Sequence, residues 1–122
     1  RPDLVDARMA LAGYLEGAGA TRDAVRQLEE AVRFEPKNVQ IRVRLSQLYA
    51  VADRFAEAAI QVEIAADFVG GSAPLYRRAA GLYESAGNER EATRMRKIAD
   101  RIDPPVRVRK LRELKRARRR RR

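Results

Sequence analysis

Apolar residues recur along this chain in short segments that are separated by turn residues. Within a segment the small side chains lie seven residues apart, which places them on one face of an α-helix. The pattern predicts helices near residues 3–17, 21–34, 38–52, 55–69, 73–86 and 89–102. The same positions recur at a constant interval of 34 residues, first as Ala24, Ala58 and Ala92 and then as Ala31, Ala65 and Ala99. We call this interval the repeat period.

Polar and turn residues mark the ends of these segments. A short polar side chain at the start of a helix accepts a hydrogen bond from a free backbone N–H group. Asn88 followed by Glu91 has the spacing of a capping box. The expected N-caps are Asp3, Thr21, Asn38, Ser72 and Asn88, the turns lie at Gly19, Gly70, Gly71 and Gly87, and Pro36 and Pro104 stop helices.

Further series share this repeat period, namely Phe34, Phe68 and Ile102, then Leu15, Tyr49 and Tyr83, then Pro36, Gly70 and Pro104. In its period and in these residues the chain resembles the tetratricopeptide repeat (TPR) family over about residues 5–104. It departs from that family at the opening aromatic, where Arg8 and Arg42 stand and only Tyr76 conforms. The resemblance implies an all-α, right-handed helical solenoid of about three helix-turn-helix repeats, at 5–38, 39–72 and 73–104, followed by a basic C-terminal helix or tail at 105–122.

The two ends of this array differ. Pro2 lies one repeat period before Pro36, in the place of a closing proline. We therefore expect residues 1–104 to be the C-terminal part of a longer array. Arg96 stands where a residue normally packs on the next repeat, which indicates a terminal repeat with a polar outer face. The alternative is that the Arg96 stem packs while its charge reaches solvent.

The composition excludes several kinds of active site. The chain has no Cys and no Trp, and it has no His, which removes thiol nucleophiles, Cys/His zinc sites and histidine acid–base chemistry. No convergent catalytic set can be assembled from the remaining residues. We predict a protein that is not an enzyme and that has no cofactor, metal or small-molecule substrate. Arginine outnumbers lysine 23 to 4, which with abundant Ala and Val indicates a GC-rich bacterial genome.

The resemblance implies a concave face that is lined by the first helix of each repeat. Arginines on this face could pair with carboxylates of an acidic peptide, and glycine leaves room for a partner helix. The alternative is that these arginines are solvated or paired with acids such as Glu16. The set that clamps a chaperone C-terminus in one TPR subclass is matched only at Arg78. The predicted groove residues are Met9, Gly13, Arg44, Gln47, Arg77, Arg78 and Glu84, and Val51 and Gly81 line the same face.

Residues 104–122 hold eleven Arg or Lys and one acid, while residues 1–103 carry equal numbers of bases and acids. This basic arm could bind nucleic acid, an anionic membrane surface or an acidic protein surface, or could be a solubilising tail. We expect Val108, Leu111 and Leu114 to dock on the last repeat and the five final arginines to be disordered. The arm residues are Arg107, Arg109, Lys110, Arg112, Lys115, Arg116, Arg118, Arg119, Arg120, Arg121 and Arg122.

The leading hypothesis is a scaffold or adaptor that holds a peptide or helix of a partner protein in its groove, with the arm attached to something anionic. Two alternatives stay open. One is a nucleic-acid- or ribosome-associated factor that acts through the arm, and the other is a component of cell-envelope assembly or export. A cytoplasmic location is favoured, with membrane association or the envelope as alternatives.

Overall fold

The computed structural model describes residues 4–121, which form seven α-helices joined by short turns. The first six helices agree with the predicted ones to within one residue at each end, so the expected all-helical architecture is confirmed. They are α1 (Leu4–Gly17), α2 (Thr21–Phe34), α3 (Val39–Val51), α4 (Phe55–Phe68), α5 (Ala73–Ser85) and α6 (Glu89–Ile102), and α7 (Val106–Arg120) follows them.

The first six helices form three pairs that stack into a helical solenoid. Within the pairs α1 packs on α2, α3 on α4 and α5 on α6, and the pairs are joined where α2 packs on α3 and α4 on α5. The alanines of the two repeating series are all fully buried. Because an alanine side chain is short, these positions let neighbouring helices approach closely. The larger residues Leu28 and Val62 lie at equivalent positions of α2 and α4 and are also fully buried.

Side chains cap three of the helices as predicted. The Asn38 side chain accepts a hydrogen bond from the backbone N–H of Ile41 at 3.2 Å, and Ser72 and Asn88 make the equivalent bond at α5 and α6. The prediction for Thr21 is wrong, because Thr21 is the first residue of α2 and the N-cap position belongs to Ala20, which has no side-chain acceptor. Asp3 lies outside the described residues.

The capping box at α6 is only half formed. The Asn88 side chain accepts from the backbone N–H of Glu91, but the Glu91 carboxylate accepts instead from Arg94 at 2.8 Å. The backbone N–H of Asn88 donates to the carbonyl of Tyr83. An ion pair on the next turn of the helix therefore takes the place of the second capping bond.

A buried arginine occupies the position of the opening aromatic in the second repeat. Arg42 is only 8% exposed. Its Nε donates to the carbonyl of Pro36 at 2.7 Å and its Nη1 to Oε1 of Gln61 at 2.8 Å. The guanidinium lies 5.8 Å from the centre of the Phe68 ring. The arginine thus fills the space of an aromatic side chain and satisfies its own donors.

The first repeat contains two of these three contacts, displaced by one repeat period. Arg8 Nη1 donates to Gln27 at 3.2 Å, and its guanidinium lies 5.6 Å from the Phe34 ring. In the third repeat the aromatic returns as Tyr76, and Met95 stands at the position of the glutamine. The departures from the family pattern are therefore correlated substitutions.

The basic arm differs from its prediction in two ways. It is helical as far as Arg120, where disorder was expected at the end. Arginine has a high helix propensity, and positive charge near a helix C-terminus is favourable. The apolar side chains also do not dock on the last repeat, since Leu111 and Leu114 are exposed and only Val108 is half-buried. Within residues 4–121 no helix has the length and apolar character needed to cross a membrane.

Candidate partner-binding surface

The predicted groove residues all lie on α1, α3 and α5, the first helices of the three pairs. We call this surface the first-helix face. The structure shows that its charged members have different surroundings. Arg44, Arg77 and Glu84 form ion pairs with neighbouring helices, whereas Arg78 forms none within residues 4–121.

Arg44 connects α1 to α3. Its Nη1 donates to the carbonyl of Met9 at 3.3 Å, and its Nη2 lies 3.6 Å from Oε2 of Glu16. The guanidinium also lies over Gly13, where an added Cβ would be 2.8 Å from Nη2. The structure therefore brings Met9, Gly13 and Arg44 together in one internal contact. Arg44 is therefore paired with the nearby acid Glu16, which is the alternative given in the sequence analysis.

Arg77 is held by the end of α6. Its guanidinium lies 3.5 Å from the carboxylates of both Asp100 and Asp103, and its Nη2 donates to the carbonyl of Asp103 at 2.6 Å. Asp103 also lies 3.9 Å from Arg109, near the start of α7. The contacts of Arg77 are thus with the junction between the array and the arm.

Glu84 is paired in a similar way. Its carboxylate accepts a hydrogen bond from Arg96 on α6. In the first two repeats the residues equivalent to Arg96 are Leu28 and Val62, which the following repeat covers. The ion pair therefore lies at the C-terminal end of the stack.

The remaining groove residues lie on α3 and α5. Gln47, Val51, Arg78 and Gly81 are all exposed, and we call them the α3–α5 patch. A Cβ added at Gly81 would meet nothing within 4 Å. No acidic side chain of residues 4–121 forms an ion pair with Arg78. The patch combines a free guanidinium, an amide, an apolar side chain and an uncovered backbone.

A polar network that the sequence analysis missed joins the second and third repeats. The Tyr83 hydroxyl on α5 donates to Oε1 of Glu63 on α4 at 2.7 Å. Arg94 on α6 lies 2.9 Å from the same carboxylate and 2.7 Å from Glu91. Burial, reinforced by Glu63, raises the pKa of Tyr83 above its usual range. The network links α4, α5 and α6.

The same position is used between the first two repeats. Burial, followed by the charge and hydrogen bonding of Glu29, raises the pKa of Tyr49 to about 12. A hydrogen bond to Asp67 is the largest factor that raises the pKa of Tyr76, again to about 12. One repeat period separates Glu29 from Glu63, and the same period separates Tyr49 from Tyr83. This shared period is the signal that could have revealed the pairs.

The arm presents its charged side chains to solvent. Arg107, Arg109, Lys110, Arg112 and the basic residues from Lys115 to Arg121 are exposed along α7. Arg122 lies outside the described residues. Across the described part of the chain, no three acidic side chains come together in a way that could hold a metal ion.

Solved structures with the same architecture identify the repeat. A mutant of MamA superposes with a TM-score of 0.68 at 27% identity, over 84% of this chain and 75% of that one. The N-terminal domain of stress-induced protein-1 from C. elegans gives a TM-score of 0.70 at 17% identity, over 93% and 96% of the two chains. The chain is a TPR-like helical repeat protein. No protein-family model matches its sequence.

One curated sequence relates this TPR-like protein to a bacterial system. The present chain is 30% identical over 96 residues to TagJ of Pseudomonas aeruginosa, an accessory component of the type VI secretion system. The match covers 79% of this chain but only 32% of TagJ. The chain therefore spans about a third of the length of that relative.

Proposed function

We propose that this protein is a non-catalytic adaptor that binds an extended or helical segment of a partner protein across the α3–α5 patch. The observation that carries the proposal is the difference between held and free residues on the first-helix face. Arg44, Arg77 and Glu84 already have intramolecular partners, whereas the patch has none among the described residues. A partner can therefore bind the patch without breaking an intramolecular ion pair.

The chemistry of the patch favours a particular kind of segment. Arg78 suits a carboxylate, because a guanidinium binds one bidentately through parallel N–H groups. Gly81 allows the partner backbone to approach closely, and Val51 offers an apolar contact beside the Gln47 amide. We infer a segment that carries both an acidic and an apolar residue.

The relation to TagJ favours an accessory role in a larger assembly. TagJ is named as an accessory component of a secretion system, and a small repeat protein that joins other proteins would serve such a system. We propose that this chain acts in the assembly or operation of a multi-protein export machine. This favours the export hypothesis over the nucleic-acid hypothesis, since TagJ is named as a component of a secretion system.

The arm adds a second attachment. Its exposed cations would bind an anionic partner weakly, and two weak contacts in one chain reinforce each other through effective concentration. Binding that depends on the arm should fall steeply as salt rises. Binding at the patch, which includes apolar contact, should fall less.

The experiment is a pull-down from nuclease-treated lysate of the source organism, with captured proteins identified by mass spectrometry. The patch variants are Gly81→Arg and Arg78→Glu, and Arg26→Glu on the exposed side of α2 is the matched control for charge. We expect the patch variants to lose a defined set of proteins that the control retains. Removal of residues 106–122 should weaken this capture at low salt without abolishing it.

The opposite outcome contradicts the proposal. If Gly81→Arg and Arg78→Glu capture the same proteins as the unaltered chain, the patch is not the binding surface. If capture needs the arm and disappears with nuclease, the protein is a nucleic-acid factor that acts through α7.

A further inference from the structure

The N-terminal end of the stack has an uncovered apolar surface on α1. Leu11 is 43% exposed and Tyr14 is 74% exposed, and Ala7 beside them is also exposed. These residues are spaced by four and three, so they share one side of the helix. We call them the α1 face.

The repeat itself shows what normally covers this position. The residues one repeat period later are Ile41, Leu45 and Leu48 on α3, and they are at most 1% exposed. They are buried because α2 of the preceding pair packs on α3. Small and aliphatic residues of the second helix provide that cover, and in the next interface they are Ala59, Val62 and Ala66 of α4 against α5.

The C-terminal end of the stack is built differently. Thr93 and Asp100 of α6 are exposed at the positions where α4 has the buried Ala59 and Ala66, and Lys97 beside them is also exposed. Arg96 and Asp100 are engaged by Glu84 and Arg77 of α5. This end is polar, and two of its charged side chains are paired, as expected for a terminal repeat. It does not offer the apolar surface that would cover the α1 face of another copy.

We propose that the α1 face is the docking site for a helical pair of the same repeat type, contributed by chain that precedes residue 4 in the complete protein. The occupant is the second helix of that pair, with small or aliphatic side chains at positions spaced by three and four. TagJ has a large part of its chain outside the matched region, since this protein covers 32% of its length.

The experiment adds such a pair to the chain. Residues 39–72 are copied directly ahead of Val5, which keeps the register of the repeat and places a second α4 against α1. The small residues of α4 leave room for Tyr14. Thermal unfolding followed by circular dichroism is compared for the original chain and the extended chain, each with and without Leu11→Glu. Ile60→Glu is the control, since Ile60 is 46% exposed on α4.

The expected result is one cooperative transition for the extended chain, with a Tm several degrees above that of the original chain. Leu11→Glu should remove this gain in the extended chain and shift the Tm of the original chain by about a degree or less. Ile60→Glu in the original α4 should behave alike in both chains. The proposal is wrong if the added pair melts separately, or if Leu11→Glu has no larger effect in the extended chain.

Sedimentation of the original chain tests the competing occupant. If the chain dimerises and Leu11→Glu makes it monomeric, a second copy covers the α1 face and the proposal is overturned. A monomer at all concentrations supports an occupant of the same polypeptide.

Discussion

The substitution Arg42→Met tests how much a buried arginine at the position of the opening aromatic contributes to the stability of a TPR-like repeat. Methionine keeps an unbranched apolar stem of similar length and removes the guanidinium. The carbonyl of Pro36 and the amide oxygen of Gln61 then lose donors at 2.7 and 2.8 Å. The Phe68 ring loses the cation that lies 5.8 Å from its centre.

The magnitude follows from opposing contributions. Hydrogen bonds that involve a charged group contribute roughly 1.5–3 kcal/mol each, and the cation–π contact adds about 0.5–1 kcal/mol. Against this, burial of the guanidinium is unfavourable, and the same burial lowers the pKa of Arg42. Desolvation of a buried ion costs several kcal/mol. We expect a net loss of about 2 kcal/mol for Arg42→Met, which leaves the two acceptors without their donors.

Urea unfolding measured by circular dichroism provides the assay. With a slope of about 1–3 kcal/mol per molar urea, the midpoint should fall by roughly 1 M. Arg26→Met is the matched control, because Arg26 is largely exposed and lies 4.0 Å from Asp23. Its loss should cost less than about 0.5 kcal/mol.

Two outcomes would refute the reasoning. If Arg42→Met is as stable as the unaltered chain, the cost of burying the ion equals what its contacts contribute, as in some buried salt bridges. If the loss disappears in high salt, the interaction is a screened surface contact and the burial argument fails.

Three further predictions concern the contacts between and within repeats. Tyr83→Phe should cost about 1 kcal/mol in urea unfolding, because Glu63 loses a donor but keeps Arg94. Tyr49 and Tyr76 have folded-state pKa values raised to about 12, so their contribution is complete below the unfolded value of about 10. The unfolding free energy should therefore fall between pH 10 and 12, and less so when both are Phe. Asn88→Ala should cost about 1 kcal/mol through loss of the α6 cap, measured by thermal unfolding.

The repeat period predicts the fold well because it reports directly on packing. A position such as Ala58 must be small in every repeat if two helices are to approach, so its identity repeats with the geometry. The caps at Asn38 and Asn88 were predictable for a similar reason, since each bond is local. The prediction that Thr21 is an N-cap was wrong because the sequence alone does not distinguish a threonine in the first turn of a helix from one at the N-cap position.

The candidate surface was harder to predict. Sequence spacing places Arg77 and Arg78 on the same helix, but it does not show which of the two reaches a neighbour. In the structure Arg77 reaches Asp100 and Asp103, whereas Arg78 is exposed and forms no ion pair within residues 4–121. That difference depends on the antiparallel return of α6, a long-range property. The prediction that Leu111 docks on the last repeat was wrong for a similar reason, because an apolar stripe does not specify the direction of the helix that carries it.

The exchange of an arginine, a glutamine and a phenylalanine for Tyr76, Met95 and Ile102 has an evolutionary consequence. The first two repeats have the same three interior residues, an arginine, a glutamine and a phenylalanine. Either repeat could therefore be duplicated or lost by unequal recombination without a mismatch inside the remaining units. The third repeat differs in its interior and in its outer edge, so a copy of it placed elsewhere would bring charged groups into an interface. Duplication or loss of one of the first two units would therefore preserve the contacts inside each repeat, whereas moving the third repeat would not.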